Sequence, residues 1–234
     1  MDFVKLKETD YNTMNINEAL LKRKSVRAFL DKKVDDSLIF EILNCARYTP
    51  SGTNTQPWEV AVVRGHTKSL LDEQLTHAFK SNTPQHPDYN YYPKEFNADF
   101  KRRRIECGLA LYSTLGITRE NKELRLKQWA QNYTAFGAPV VLYIFTDKLI
   151  DKGSFMDCGM FIQSIMLMAE HLGLASCPQA ALAEYPDIVR KQLNYPQDKL
   201  LLCGIAIGYE DTDAIINNYR TSREDVNTFT RFFD

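Results

Sequence analysis

A chain of 234 residues, 44% hydrophobic and 25% charged, is long enough to bury a substantial core and short enough to do so as one domain. Its net charge of −1 argues against a general polyanion binder, and it has no run of about eighteen apolar residues of the kind a membrane span needs. With no apolar leader at its start, the expectation is a soluble, cytoplasmic protein.

Residues 1–14 show no periodicity and read as an arm. From Asn15 a helix is expected: Asn15 can cap it, Glu18 stands where a capping box needs it, and Ile16, Ala19, Leu20 and Arg23 follow at helical spacing. That helix delivers Arg23-Lys24-Ser25-Val26-Arg27, three cations and a hydroxyl within five residues, which is the composition of an anion clamp. Leu38, Ile39, Ile42, Leu43 and Ala46 predict a second helix over residues 36–47, which Pro50 prevents from continuing. Residues 49–58 then form a polar loop. Pro50 and Pro57 fix two φ angles, Gly52 permits a turn conformation barred to other residues, and Ser51, Thr53, Asn54, Thr55 and Gln56 offer hydrogen bonds.

Residues 58–63 read as a buried strand and residues 67–79 as an amphipathic helix on Leu70, Leu71, Leu75, Ala78 and Phe79. Residues 81–93 hold three prolines and Tyr89, Tyr91 and Tyr92. Such a loop is either a lid or a segment packed onto the body. Lys101-Arg102-Arg103-Arg104 lies inside the next expected helix, so at most two of its four cations can share a face, and a solvated face is the plain reading. A charged helix over residues 120–132 precedes a strand over 140–145. Residues 155–172 are apolar almost all round, which predicts a buried helix stopped by Gly173, with its methionines as packing groups. A short helix from Pro186 to Leu193 and a strand over 199–207 follow, and the tail over 211–234 has little pattern until Phe229, Phe232 and Phe233. Helices interleaved with few strands indicate an α+β fold, a sheet flanked by helices.

Hydrolytic chemistry has no support, since Gly-x-Ser-x-Gly is absent and His66, His77, His86 and His171 stand in ordinary helical or loop contexts. Neither a Gly-x-Gly-x-x-Gly nor a Walker loop is present. The five cysteines, Cys45, Cys107, Cys158, Cys177 and Cys203, never adopt Cys-x-x-Cys spacing, which suggests neither a disulfide framework nor a zinc site. Neutral net charge and the lack of a recognition motif oppose a nucleic-acid role for residues 101–104.

The clamp at 23–27, the loop Pro50-Ser51-Gly52-Thr53-Asn54-Thr55-Gln56-Pro57-Trp58, the run Gly173-Leu174-Ala175-Ser176-Cys177-Pro178-Gln179, residues 200–208 and the closing Arg220-Thr221-Ser222-Arg223 together resemble the FMN-dependent nitroreductase family. Residues 66–130 match it less well. The resemblance implies a single domain with a central mixed sheet flanked by helices, in an intertwined homodimer whose C-terminal segment, 211–234, extends onto the partner subunit. It implies that Arg23, Lys24 and Ser25 hold the FMN phosphate together with Arg223, with Arg220 as a further phosphate candidate, and that Arg27 lies near the pyrimidine side of the ring. Backbone groups of Pro178, Gln179, Ala180 and Ala181 would face the N5 and O4 edge, and Asn132 the pyrimidine ring. Ala135 stands where the family often has lysine, leaving Arg103 as a weak candidate for a second cation. Pro50, Ser51 and Asn54 would be contributed across the dimer. The implied reaction is two-step: NADH or NADPH reduces FMN, which then reduces an electron-poor acceptor such as a nitroaromatic or a quinone. No side chain is assigned a catalytic role and no metal is called for, because the cofactor carries the redox chemistry; Cys177, beside Pro178, is the one thiol to watch. Dehalogenation, dehydrogenation, or flavin binding and sensing without turnover are the alternative readings.

Overall fold

The computed structural model describes residues 14–150 and 152–234; most of the N-terminal arm lies outside them. Four strands, β1 (Glu59–Arg64), β2 (Val140–Asp147), β3 (Ala175–Gln179) and β4 (Lys199–Gly208), form one sheet in the order β1-β2-β4-β3. All three pairings are antiparallel, and a bridge between Ser25 and Ser176 adds a parallel contact at the β3 edge. Seven helices surround it: α1 (Ile16–Lys22), α2 (Asp36–Ala46), α3 (Gly65–Lys80), α4 (Ala98–Thr114), α5 (Lys122–Ala130), α6 (Lys152–His171) and α7 (Pro186–Leu193).

The strict alternation of β2 divides the core. Val141, Tyr143 and Phe145 point to one face, where Leu71 and Leu75 of α3 and Val189 of α7 cover them. Val140, Leu142 and Ile144 point to the other, against Ile39 and Ile42 of α2 and Phe161 and Ile165 of α6. The capping box at Asn15 forms as expected, with Asn15 Oδ1 accepting from Glu18 N and Glu18 Oε2 accepting from Asn15 N. Gly173 ends α6 at φ +71°, the left-handed conformation its position requires.

Four expectations need correction. β1 is a strand but not a buried one: only Val63 is covered, and Val62 is 40% exposed. β3 is a strand that the sequence reading does not anticipate, because Pro178 interrupts a run of only five residues; at a sheet edge its missing N–H is tolerated. α6 is not buried all round. Cys158, Phe161, Ile165 and Ala169 are covered, but Met156 and Met160 are 71% and 40% exposed. In the 49–58 loop the left-handed residues are Thr53, Asn54 and Gln56, not Gly52. Gly52 instead donates its N–H to Asp157 Oδ2 at 3.2 Å, so the strain falls on residues with side chains.

The segment after α3 is fastened for half its length. Thr83 O accepts from Tyr185 Oη, His86 N donates to Glu184 O, and Tyr89 Oη donates to Leu202 O at 2.8 Å. Asp88, nearly buried, pairs with both terminal nitrogens of Arg190 and accepts from Leu201 N. These residues belong to the body. Only beyond them, at Tyr91 and Tyr92, does the chain stand clear of it.

Candidate active site

The clamp forms where α1 ends. Arg23 is its C-cap, and Arg23, Lys24, Ser25 and Arg27 line a cavity of about 60 Å³ with Tyr219, Arg220, Thr221 and Arg223. Segments almost two hundred residues apart in sequence are joined here by Asn217, which is 2% exposed. Its Oδ1 accepts from Arg27 N, its backbone O from Lys24 Nζ, and its Nδ2 donates to Ala28 O. Sequence reasoning misses both Asn217 and Tyr219, since an Asn-Asn-Tyr run in an unpatterned tail carries no signal of what it fastens.

None of the residues lining this cavity is acidic. Burial first, then the charges of Arg223 and Arg220, lower the Arg23 pKa from the usual arginine value. Arg220 turns its guanidinium onto Lys22 O, and Arg223 turns its own onto Thr221 and Ser222. Glu170 offsets part of the charge on Arg23 from outside the lining, and guanidiniums gathered with no carboxylate in the lining leave a deficit that one small anion would fill. Lys24 lines the same cavity, but its ammonium is already held by Glu210 at 2.7 Å.

The clamp lies directly beside β3, where Val26 N donates to Ser176 O. At the far end of this strand Gln179 Nε2 donates to Asn132 O and Oδ1, at 3.0 and 3.2 Å, so two segments distant in sequence meet at one edge. Gln179 Oε1 is buried with no hydrogen-bond partner among the described residues, an acceptor that a ring N–H would satisfy. Ala180 and Ala181 follow in a half-buried 3-10 turn held from behind: Glu184 N donates to Ala181 O, and the Glu184 carboxylate accepts from Tyr133 Oη and Gln85 Nε2. Burial raises the Glu184 pKa above the usual carboxylate value, opposed by the Tyr133 hydrogen bond. Cys177 is buried beneath this edge, and burial pushes its thiol up to about 11. Arg103 does not reach it. That side chain, on α4, lies over Phe100 and faces Glu224 of the C-terminal tail.

The polar loop sits elsewhere. Thr49 Oγ1 is 2.8 Å from Ser164 Oγ, Ser51 Oγ accepts from Gln56 N, and Pro50 and Asn54 are exposed. Asp157, which anchors Gly52, and Glu170, whose charge acts on Arg23, are 170 − 157 = 13 residues apart on α6. At 1.5 Å per residue that is about 20 Å. Within one chain, Pro50, Ser51 and Asn54 are not brought to the clamp.

The nitroreductase family model matches residues 20–209. This chain belongs to the nitroreductase family. A 4-nitrobenzoate reductase of Pseudomonas putida is 32% identical over 220 residues, which cover 94% of this chain and 96% of that one. Among solved structures, the FMN and NADPH-dependent nitroreductase NfnB from sphigopyxis sp. strain HMH superposes with a TM-score of 0.91 at 36% identity, covering 94% of this chain and 100% of that chain. The FMN-dependent NfnB from Mycobacterium smegmatis, in complex with NADPH, superposes at 0.89 with 33% identity, covering 93% and 97%. The α+β architecture of this nitroreductase is therefore that of its relatives.

Proposed function

We propose that this nitroreductase binds FMN and uses it to carry electrons from NADH or NADPH to an electron-poor acceptor, a nitroaromatic or a quinone. The observation that carries the reading is the acid-free guanidinium cavity joined by one short strand to an edge with an unsatisfied buried acceptor. Arg23, Ser25, Arg220 and Arg223 hold the phosphate, and Lys24, already paired, contributes field more than contact. Arg27 places a cation on the way to the pyrimidine side, where Asn132 and Gln179 offer the ring their polar groups. Backbone groups of Pro178, Ala180 and Ala181 line the edge that exchanges hydride. The bound flavin supplies the redox chemistry; the chain binds it, orients it and keeps cations near it.

The site is completed by a second copy. Ile16, Leu21, Phe40 and Met156 are each more than 70% exposed, as are Phe229, Phe232 and Phe233, a load of apolar surface that an isolated chain rarely carries. The placing of the polar loop and the clamp at opposite ends of α6 has the same meaning: Pro50, Ser51 and Asn54 serve the partner's flavin. Asn217 and Tyr219 fasten the first part of the tail to its own subunit, so the part that extends onto the partner is the aromatic end, beyond Glu224. No helix among the described residues is long and apolar enough to cross a membrane, and free thiols throughout suit a cytoplasmic enzyme.

The direct test is the absorbance spectrum of the purified protein before and after NADH or NADPH. A flavin spectrum bleached by the nicotinamide and restored by a nitroaromatic is expected. A colourless protein that cannot be reconstituted with FMN sinks the reading, and flavin retained without turnover leaves a binding or sensing protein. Sharing of sites is tested with a mixed dimer of one subunit carrying Arg23→Ala and one with Ser51 and Asn54 both replaced by bulky residues. Shared sites restore about half the flavin, since one site collects both defects and the other none; sites built within single subunits leave the mixed dimer empty.

A further inference from the structure

The run Lys101–Arg104 has so far no part in the site, and the structure divides it. Arg102 and Arg103 turn to Glu106 and Glu224. Lys101 and Arg104, one helical turn apart, face the opposite way into an open groove of about 1330 Å³ between α4 and α5. Arg119 and Arg125 join them from the other wall. Glu95 is the one carboxylate among the groove's residues, which leaves an excess of 4 − 1 = 3 positive charges.

The cations are mounted on aromatic rings. The Arg104 guanidinium lies 5.1 Å from the ring of Tyr92 and 4.8 Å from that of Phe96, and Arg125 lies 4.9 Å from that of Tyr112. A guanidinium over a ring can still present its in-plane N–H groups to phosphate oxygens; Arg125 spends one, Nη1, on Arg119 O, and none of Lys101, Arg104 and Arg125 has a carboxylate partner among the described residues. At one end the groove is closed by Trp129, whose carbonyl accepts from Asn132 Nδ2 at 2.9 Å. Asn132 is in turn the partner of Gln179. The groove therefore ends at a residue fastened to Asn132, on the side of the candidate site's ring edge.

We infer that this groove receives the adenosine 2′-phosphate and diphosphate of NADPH, and that the enzyme discriminates NADPH from NADH there; this rests on the flavin reading above. Single-ring acceptors fit pockets at or below the ordinary ligand range of about 300–1,000 Å³, whereas this groove exceeds it and offers cations spread along its length. A long polyanion ending in an aromatic base matches that layout. The nicotinamide end then lies toward Asn132 and Gln179, and the 2′-phosphate toward Lys101 and Arg104.

The experiment measures the rate of flavin reduction by each nicotinamide in the FMN-loaded enzyme. NADPH is expected to be favoured over NADH by about tenfold or more, the worth of one charge-assisted contact. Replacing Lys101 and Arg104 together by Ala should bring that ratio close to one, and Arg104→Lys should retain most of it. Equal use of NADPH and NADH by an unaltered yellow enzyme overturns the inference while leaving the flavin reading intact; a colourless enzyme defeats the flavin reading itself. A double variant that keeps its preference for NADPH but loses 4-nitrobenzoate more than nitrobenzene also overturns it, and gives the groove to an anionic acceptor. Should the double variant fail to fold, Arg125→Ala and the salt dependence of NADPH binding to the unaltered enzyme decide in the same way.

Discussion

Helices α4 and α6 are of similar length, 17 and 20 residues, and both carry apolar side chains at helical spacing. α6 buries Cys158, Phe161, Ile165 and Ala169 against the sheet and α2; α4 buries no residue, and Phe100, Ile105 and Leu109 are each at least half exposed. Periodicity thus reports that a face is apolar and leaves open what covers it. For α6 the cover is the chain's own sheet. For α4 the described residues of the same subunit supply no such cover, and the helix is tethered at its flanks: by the fastened residues 83–89 before it, and by Tyr219 and Glu224, which reach it at Cys107 and Arg102.

The sharpest break in this comparison comes at the tether. Asp88→Ala leaves the Arg190 guanidinium, 3% exposed, without its main partner, and removal of one member of a buried pair costs about 3–5 kcal/mol. Glu224→Ala, on the exposed side of α4, should leave the melting temperature almost unchanged. Equal losses in thermal unfolding would mean that α4 is held as firmly as the body. Within the two helices, Ile165→Ala should cost about 2–5 kcal/mol through the cavity it leaves, and Leu109→Ala no more than about 0.5 kcal/mol. Urea denaturation of both measures the contrast directly.

These contrasts show what sequence could carry. The existence of β2, the capping box at Asn15 and the stop at Gly173 are local devices, each complete within a few residues, and all are legible; the division of β2's side chains between two cores is not. β3 is not, because its hydrogen bonds come from Ile205, Ala206 and the Ser25 segment, while Pro178 hides the strand pattern. The clamp is legible in its composition, and its position beside β3 is not. Asn217 builds it through three hydrogen bonds to residues 24–28, a link that no spacing announces. The fate of Lys101 to Arg104 lies between: periodicity limits a shared face to two cations, and only the packing of α5 shows which two.

Flavin affinity gives the next test, smaller in effect. Replacing Arg23 or Arg223 by Ala should weaken FMN binding by about 1.5–3 kcal/mol each, the range for hydrogen bonds to charged groups. The change is read from flavin retained after gel filtration and from a titration of the apoprotein. Substituting Arg103, which lies on α4 and faces Glu224, should leave that affinity where it was. An equal loss at Arg103 would place α4 at the cofactor and erase the distinction between the clamp and the groove.

The smallest effect is expected at Cys177, which lies beneath the ring edge yet behaves as part of the core. Burial pushes its thiol up to about 11, with Arg27, Ser25 and Arg23 drawing it only partly back. A thiol with that pKa is about one part in a thousand thiolate at pH 8, and the thiolate is the reactive form. Cys158 and Cys203 are raised likewise, to about 11 and about 12, also by burial. Iodoacetamide added to the folded protein should therefore label Cys107, exposed on α4, well before any of the three, and these should react only on unfolding. Cys177→Ser keeps the volume and weakens nothing that the ring edge depends on, so turnover should change modestly and its pH profile not at all near neutrality. Fast labelling of Cys177 in the folded protein, or loss of turnover in the serine variant with FMN still bound, would mean that the thiol is open to the flavin and takes part in the reaction.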